Sequence, residues 1–157
     1  MEDYFELVDK YKAGESIDPT EYTNLAATLA FAEDYETFER FLAETRDFNV
    51  LNACTNERFA TTWQPTPLFL ITSPNVRTKM KDPQKMVRFL AAHGVDVNIA
   101  AGDGTTPLSN LLHDTDPTSL EFIKLFLELG ADPNKTSLEG ENELPPLLDC
   151  LDRKSVV

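Results

Sequence analysis

The sequence is poor in the residues that catalytic and metal chemistry lean on. It has two cysteines, Cys54 and Cys150, 96 residues apart. That separation matches no metal or redox pair. One disulfide between them fits the count, but idle thiols in a reducing compartment are the expectation. Six glycines leave little for a phosphate loop: Gly102 and Gly104, in Ala-Gly-Asp-Gly-Thr, belong to a turn that precedes no strand-to-helix unit. Basic residues are also short, 14 against 27 acidic ones, for a formal charge of −13. Such a chain repels backbone phosphates, which argues against general nucleic-acid binding. No apolar run approaches the roughly 18 residues that span a bilayer. The N-terminus, MEDYFELVDKYK, is acidic and amphipathic, the reverse of a secretory leader. Together these absences predict a cytoplasmic protein that engages neither membrane nor nucleic acid.

What remains is an ordinary globular composition, 41% hydrophobic and 26% charged over 157 residues. That is enough chain for one domain with its own core. Charge is unevenly spread. Residues 1–60 carry 14 acids and 5 bases, residues 61–94 one acid and 5 bases, and residues 95–157 12 acids and 4 bases. A basic island thus interrupts two acidic blocks. Such charge either serves solubility or steers a charged partner.

Internal repetition is the strongest signal. MVRFLAAHGVDVN (Met86–Asn98) aligns with FIKLFLELGADPN (Phe122–Asn134). Each is an amphipathic helix ending in glycine and followed by Asp, one spacer and Asn. Thr66-Pro67-Leu68 and Thr106-Pro107-Leu108 precede them, and Pro145-Pro146-Leu147 follows, at spacings of 40 and 39 residues. Thr before Pro opens a helix: Thr66 and Thr106 accept backbone N–H bonds as N-caps, and Pro67 and Pro107 stand where no donor is missed. Gly94 and Gly130 end the second helices in the left-handed conformation. The Asp and Asn that follow suit the next turn.

These residues resemble the ankyrin repeat, with its Thr-Pro-Leu-His motif and period of about 33 residues. The match covers Pro65–Pro146. A degenerate earlier copy has Thr23–Ala32 and Tyr35–Glu44 as helices, with Arg46-Asp47-Phe48-Asn49 in place of Gly-x-Asp-x-Asn and Thr45 in place of the glycine. The last copy has room for its first helix alone, to about Leu151. The family's histidine is replaced by Phe69, Ser109 and Leu148, so its polar tie between repeats is expected to be missing. His93 and His113 sit near helix ends and are read as structural.

The resemblance implies an all-α, ankyrin-repeat solenoid of stacked helix-turn-helix units with finger loops and an N-terminal capping helix. One domain is divided as cap and link (1–20), repeat 1 (21–50), repeat 2 with a long finger (51–98), repeat 3 (99–134) and a partial C-terminal repeat (135–157). The cap is Asp3–Tyr11, with Tyr4, Phe5, Val8 and Tyr11 on one side. Leu147, Leu148 and Leu151 would form a thin lid at the other end.

Two stretches depart from the family spacing. The turn Thr72–Pro83 carries Arg77, Lys79 and Lys81, and Pro74 and Pro83 delimit it as a loop. Asp47 to Thr66 spans 19 residues where Asp96 to Thr106 spans 10. The first finger, Leu51–Gln64, is therefore longer by nine, and it contains Arg58, Phe59 and Trp63. Trp and Arg are common interface anchors, although Trp63 could equally close the core.

Function follows from shape. Ser109 has no visible base, Asp114 and Asp116 have no metal-ligand set nearby, and no cofactor is implied. The expectation is a non-enzymatic, monomeric protein-interaction module, an adaptor or sequestering protein, bound through finger tips and first helices. Candidate contacts are Arg58, Phe59, Trp63, Arg77, Lys79, Lys81, Gly102, Asp103, Ser109, Asn110, Glu139 and Glu141. A narrower alternative is an inhibitor, such as an immunity protein neutralising a basic toxin or enzyme, which the negative charge would steer. A third is a structural fragment of a larger assembly.

Overall fold

A computed structural model describes residues 2–55, 65–101 and 104–133. Eight α-helices and no strand occur among these residues. Helix α1 (Glu2–Lys12) leads through a 3₁₀ turn (Pro19–Glu21) to α2 (Tyr22–Ala32) and α3 (Tyr35–Glu44). Next come α4 (Pro67–Ile71), α5 (Pro74–Arg77) and α6 (Pro83–Ala92), then α7 (Pro107–Leu112) and α8 (Ser119–Glu128).

Most helix starts are written in the sequence. Thr66 and Thr106 cap α4 and α7, accepting from the N–H of Phe69 at 3.1 Å and of Ser109 at 3.2 Å, with proline at the first helical position. Asp34 and Asp82 cap α3 and α6 in the same way, at 3.2 and 3.1 Å. These helices are too short to stand alone in water. Tertiary burial holds them: all five residues of α4 are buried. One apolar cluster runs from Val8 in α1 to Ala131 after α8 and includes Leu25, Leu29, Phe38, Phe41, Leu68, Met86, Leu90, Leu111 and Phe126. Each such side chain contributes on the order of 1.5–3 kcal/mol.

The N-terminal helix lies on α2 and α3. Val8 is buried, Phe5 meets Phe31, and Tyr11 stands edge-on to Phe41 at 5.3 Å. Lys12 pairs with Asp34 at 2.7 Å. The expectation for the C-terminal lid falls outside the described residues.

Successive helix pairs are joined by a recurring set of bonds. After α6 and α8, Gly94 and Gly130 adopt φ of 89° and 97°. The N–H of the next residue returns to the last turn, Val95 to Leu90 at 3.1 Å and Ala131 to Phe126 at 2.9 Å, a Schellman closure. The Asn52 amide then crosses to the turn after α6: it donates to the Gly94 carbonyl at 3.2 Å and accepts from the Asp96 N–H at 2.7 Å. Asn98 does the same to the turn after α8, with Gly130 at 3.4 Å and Asp132 at 2.7 Å. The finger bases also correspond. Thr55 N–H bonds the Pro65 carbonyl, and Ala101 N–H the Thr105 carbonyl.

These bonds correct the register expected for the first copy. Asn52, not Asn49, stands where Asn98 stands. Thr45 is not left-handed (φ −110°); its N–H and hydroxyl both bond the Phe41 carbonyl. The chain makes a further turn through Phe48, and Asn49 donates to the Asn52 carbonyl at 3.0 Å. Seven residues separate Thr45 from Asn52, where four separate Gly94 from Asn98. Of the nine extra residues, three therefore lie in this turn. The other six lie between Thr55 and Pro65, which enclose nine residues where Ala101 and Thr105 enclose three.

The turn Thr72–Pro83 is not a plain loop. Ser73-Pro74 starts α5, a single helical turn, because proline at the first position costs no donor. Glu33, the residue after α2, takes φ 56°. From there its carboxylate accepts from the N–H of Lys81 at 2.7 Å and of Asp82 at 2.6 Å. Two charge-assisted bonds offset the strain of a non-glycine left-handed residue.

Two expectations follow. Asn52→Ala should destabilise the protein by about 1 kcal/mol, more than Asn49→Ala, in urea unfolding; equal effects would refute the corrected register. Asp34 gives the second. Burial pushes its carboxyl up, but bonding to Lys12 and to Thr37 outweighs this, and its pKa lies below the usual value. A lowered native pKa means stability present above about pH 4 and lost as pH falls through the native value. Asp34→Asn, which keeps a capping oxygen, should make acid unfolding below pH 4 less steep.

Candidate protein-binding surface

Of the sequence-expected contacts, Arg77, Lys79, Lys81, Ser109 and Asn110 lie among the described residues. Arg58, Phe59, Trp63, Gly102, Asp103, Glu139 and Glu141 fall outside the described residues. Lys79 and Lys81 are exposed in the turn between α5 and α6. Arg77 and Ser109 are buried, 2% and 3% exposed, which removes both as surface contacts.

Arg77 is internal because its guanidinium joins two neighbouring interhelical turns. It donates to the Thr72 carbonyl at 2.5 Å, to Asp114 Oδ2 at 2.6 Å and to Thr118 Oγ1 at 3.1 Å. Asp116 lies at 3.7 Å, and the Phe122 ring is 5.3 Å from the guanidinium carbon. A planar fork with several donors suits such a site, as an ammonium would not. The basic island is thus smaller at the surface than the sequence suggests.

The polar tie expected to be missing between helix pairs exists in another form. Asn110 is half-buried, and its amide donates to Thr72 Oγ1 at 2.8 Å, linking α7 to the end of α4. Its bonding joins two helix pairs. The first helices accordingly offer little free surface: Pro67–Ile71 are buried throughout, as are Pro107, Leu108, Ser109 and Leu111.

An open aromatic surface lies on the second helices. Phe89 of α6 packs edge-on to Tyr35 at 5.1 Å and meets Phe38 at 5.3 Å. The His93 ring stacks at 4.2 Å on Phe89, and its Nδ1 bonds the Phe89 carbonyl at 2.8 Å. Because a carbonyl can only accept, Nδ1 carries the proton, and Nε2 is an acceptor when the ring is neutral. His113 likewise bonds the Ser109 carbonyl at 2.7 Å. Lys85 Nζ lies 4.6 Å over the Tyr35 ring. Among the described residues, no three His, Cys, Asp or Glu side chains converge to hold a metal ion.

Two hollows follow the α3/α6 seam. One, of about 450 Å³, is lined by Tyr35, Glu39, Lys85, Arg88 and Phe89. The other, of about 390 Å³, lies at the C-terminal ends, and its lining includes Glu39, Leu42, Arg46, Phe48, Asn52 and His93. Glu39 belongs to both. Phe48 is 48% exposed and rests one edge on Tyr22 at 5.0 Å. Burial, followed by the nearby Glu33 and Asp82 carboxylates, raises the Tyr35 hydroxyl pKa, and that hydroxyl is buried without a hydrogen-bond partner. Sequence reasoning missed this seam. The available signal was the aromatic and basic residues at helical spacing on α6, Lys85, Arg88, Phe89 and His93.

No protein-family model matches the chain. The chain is similar to part of an intracellular phospholipase A2 from Caenorhabditis elegans, with 35% identity over 69 residues. That stretch is 43% of this chain and 6% of that protein. Among the described residues, no helix is long and apolar enough to cross a membrane.

Arg77→Ala would leave Asp114, at 10% exposure, without its cation. It should cost about 3–5 kcal/mol, read by urea unfolding; a loss below 1 kcal/mol would mean that the buried pair does not hold the two turns together.

Proposed function

We propose that this chain is an ankyrin-repeat stack, a non-enzymatic module that binds another protein as an adaptor or sequestering protein. The observation that carries this reading is the repeated joint, in which Asn52 and Asn98 make the same two bonds to the following turn. A joint reproduced in this way makes each helix pair a copy of its neighbour, the construction of a repeat stack. Such a stack is rigid before it meets a partner, and binding costs it little ordering entropy.

The acidic charge of −13 and the long first finger, with Arg58, Phe59 and Trp63, support a protein as the ligand. Similarity to a short part of a much longer protein supports a unit that also serves as one piece of a larger chain. The phospholipase activity itself is not carried across, since the match touches so little of that protein.

The test is affinity capture from a native lysate at low and high salt, followed by calorimetry between the purified bait and each captured protein. At least one should rebind with defined stoichiometry. Failure of every purified candidate to rebind would sink the reading. An Arg58→Ala/Trp63→Ala variant should bind that partner at least about tenfold more weakly if the finger is an anchor.

A further inference from the structure

Where α1 ends against the end of α3, a hollow of about 220 Å³ has aromatic walls and an acidic rim. Its lining includes Tyr11 of α1, Ile17 of the link, Tyr22 at the start of α2 and Phe41 of α3. Tyr11 and Tyr22 stand at 80° and 84° to the buried Phe41 ring, with centroids 5.3 and 5.7 Å away. Rings set nearly at right angles do not cover one another face to face, and an aromatic face attracts a cation. The molecule already uses that attraction. The Arg40 guanidinium carbon lies 5.2 Å over the Tyr11 ring, in an adjoining hollow that shares Tyr11, Glu15 and Glu44 with this one.

The rim is made by Glu15 and Glu44, both exposed. Gly14, at φ 82°, closes α1 and carries the chain to Glu15, whose N–H returns to the Lys10 carbonyl at 3.0 Å. Glu44 accepts from the Tyr11 hydroxyl at 2.5 Å. Among the described residues that line the hollow, these two alone are charged. The excess of negative charge survives a count of the neighbours. Lys10 is paired with Glu6 and Lys12 with Asp34, while Arg40 lies near Glu36 as well as Glu44. Along the chain Arg46 is followed by Asp47, and Asp18 and Glu21 add to the acidic side.

We propose that this hollow takes the end of a lysine side chain of a partner protein, with the ammonium between the tyrosine rings and the two carboxylates and the methylene stem on Ile17. This rests on the protein-binding reading and adds to it a contact site and a ligand chemistry. The hollow is smaller than the roughly 300–1,000 Å³ of small-molecule sites, a size for the end of one side chain. The net charge of −13 steers a basic partner in the same direction.

The probe is an N-acetylated, C-amidated Gly-Lys-Gly peptide titrated into the isotope-labelled full chain and followed by its amide shifts. Two companion peptides carry norleucine, which keeps the carbon chain without the charge, or glutamate. The lysine peptide alone should bind, shifting Ser16, Tyr22 and Thr45, and salt should weaken it. Glu15→Gln/Glu44→Gln should weaken it about fivefold. Tyr22→Leu should also weaken it several-fold, which plain attraction to an acidic surface would not show; its spectrum establishes that the variant folds. Ser16→Glu, at an exposed lining position, should tighten binding about twofold, a gain that damage to the fold would not produce. Equal binding of the norleucine peptide, absence of lysine-peptide binding, or no response to Tyr22→Leu would overturn the proposal. Purified partners from the capture experiment separate the two readings. A partner that binds the Glu15→Gln/Glu44→Gln variant as tightly as wild type removes this contact and leaves protein binding standing. Failure of every candidate to rebind removes protein binding, whatever the peptides do.

Discussion

From the turn after α6, the Asn98 side chain holds the turn after α8 by one bond given and one received. Asn52 holds the turn after α6 in the same manner. The rest of the molecule depends on this fixed offset between neighbours. Helices of five to ten residues have no stability of their own, and each exists because the next one covers its apolar stripe. A shift of one residue between neighbours would turn Leu90 or Phe126 out of the core. The amide prevents that shift at the turns, and Arg77 does so at the opposite ends of the helices. Two unlike polar devices, a half-buried amide and a buried cation, thus brace the helix pairs from both sides.

Much of this order was legible in the residues. The Thr-Pro pairs located α4 and α7, and the periodic apolar residues after Asp34 marked α3 from Tyr35 to Glu44 as observed. What misled was local degeneracy. Asp47-Phe48-Asn49 and Val50-Leu51-Asn52 both fit a turn ending in Asn, and turn propensity cannot choose between them. The choice is made by burial of Val50 and Leu51, a tertiary fact. Arg77 misled for a related reason, since its partners are 37 and 39 residues away. Opposite charges at equivalent turns of successive copies, Arg77 in one and Asp114 with Asp116 in the next, were the readable hint. Nothing in the sequence announces that Glu33 turns left-handed to hold the turn before α6.

The candidate surface was less legible because the residues that catch the eye had structural duties. Ser109 and Arg77 are buried, and Asn110 spends its amide on Thr72. The seam, by contrast, draws its lining from two helices and a turn, and no single run of sequence carries its pattern. Leu120 and Leu127 of α8 are 57% and 44% exposed. On α6 the corresponding face carries Gln84 and Arg88, which meet Glu121 and Glu128 of α8.

The single bond between Thr55 and Pro65 separates two kinds of length variation. Chain inserted beyond it is outside the frame, because the finger base keeps the spacing found between Ala101 and Thr105. Lengthening a loop from three residues to nine costs only about 1 kcal/mol in closure entropy. Residues inserted before Asn52 would instead displace the amide that aligns the next pair. The Thr55–Pro65 clasp is therefore a natural splice point: peptide grafted beyond it would leave the Asn52 joint in place, whereas the same graft a few positions earlier would unseat it.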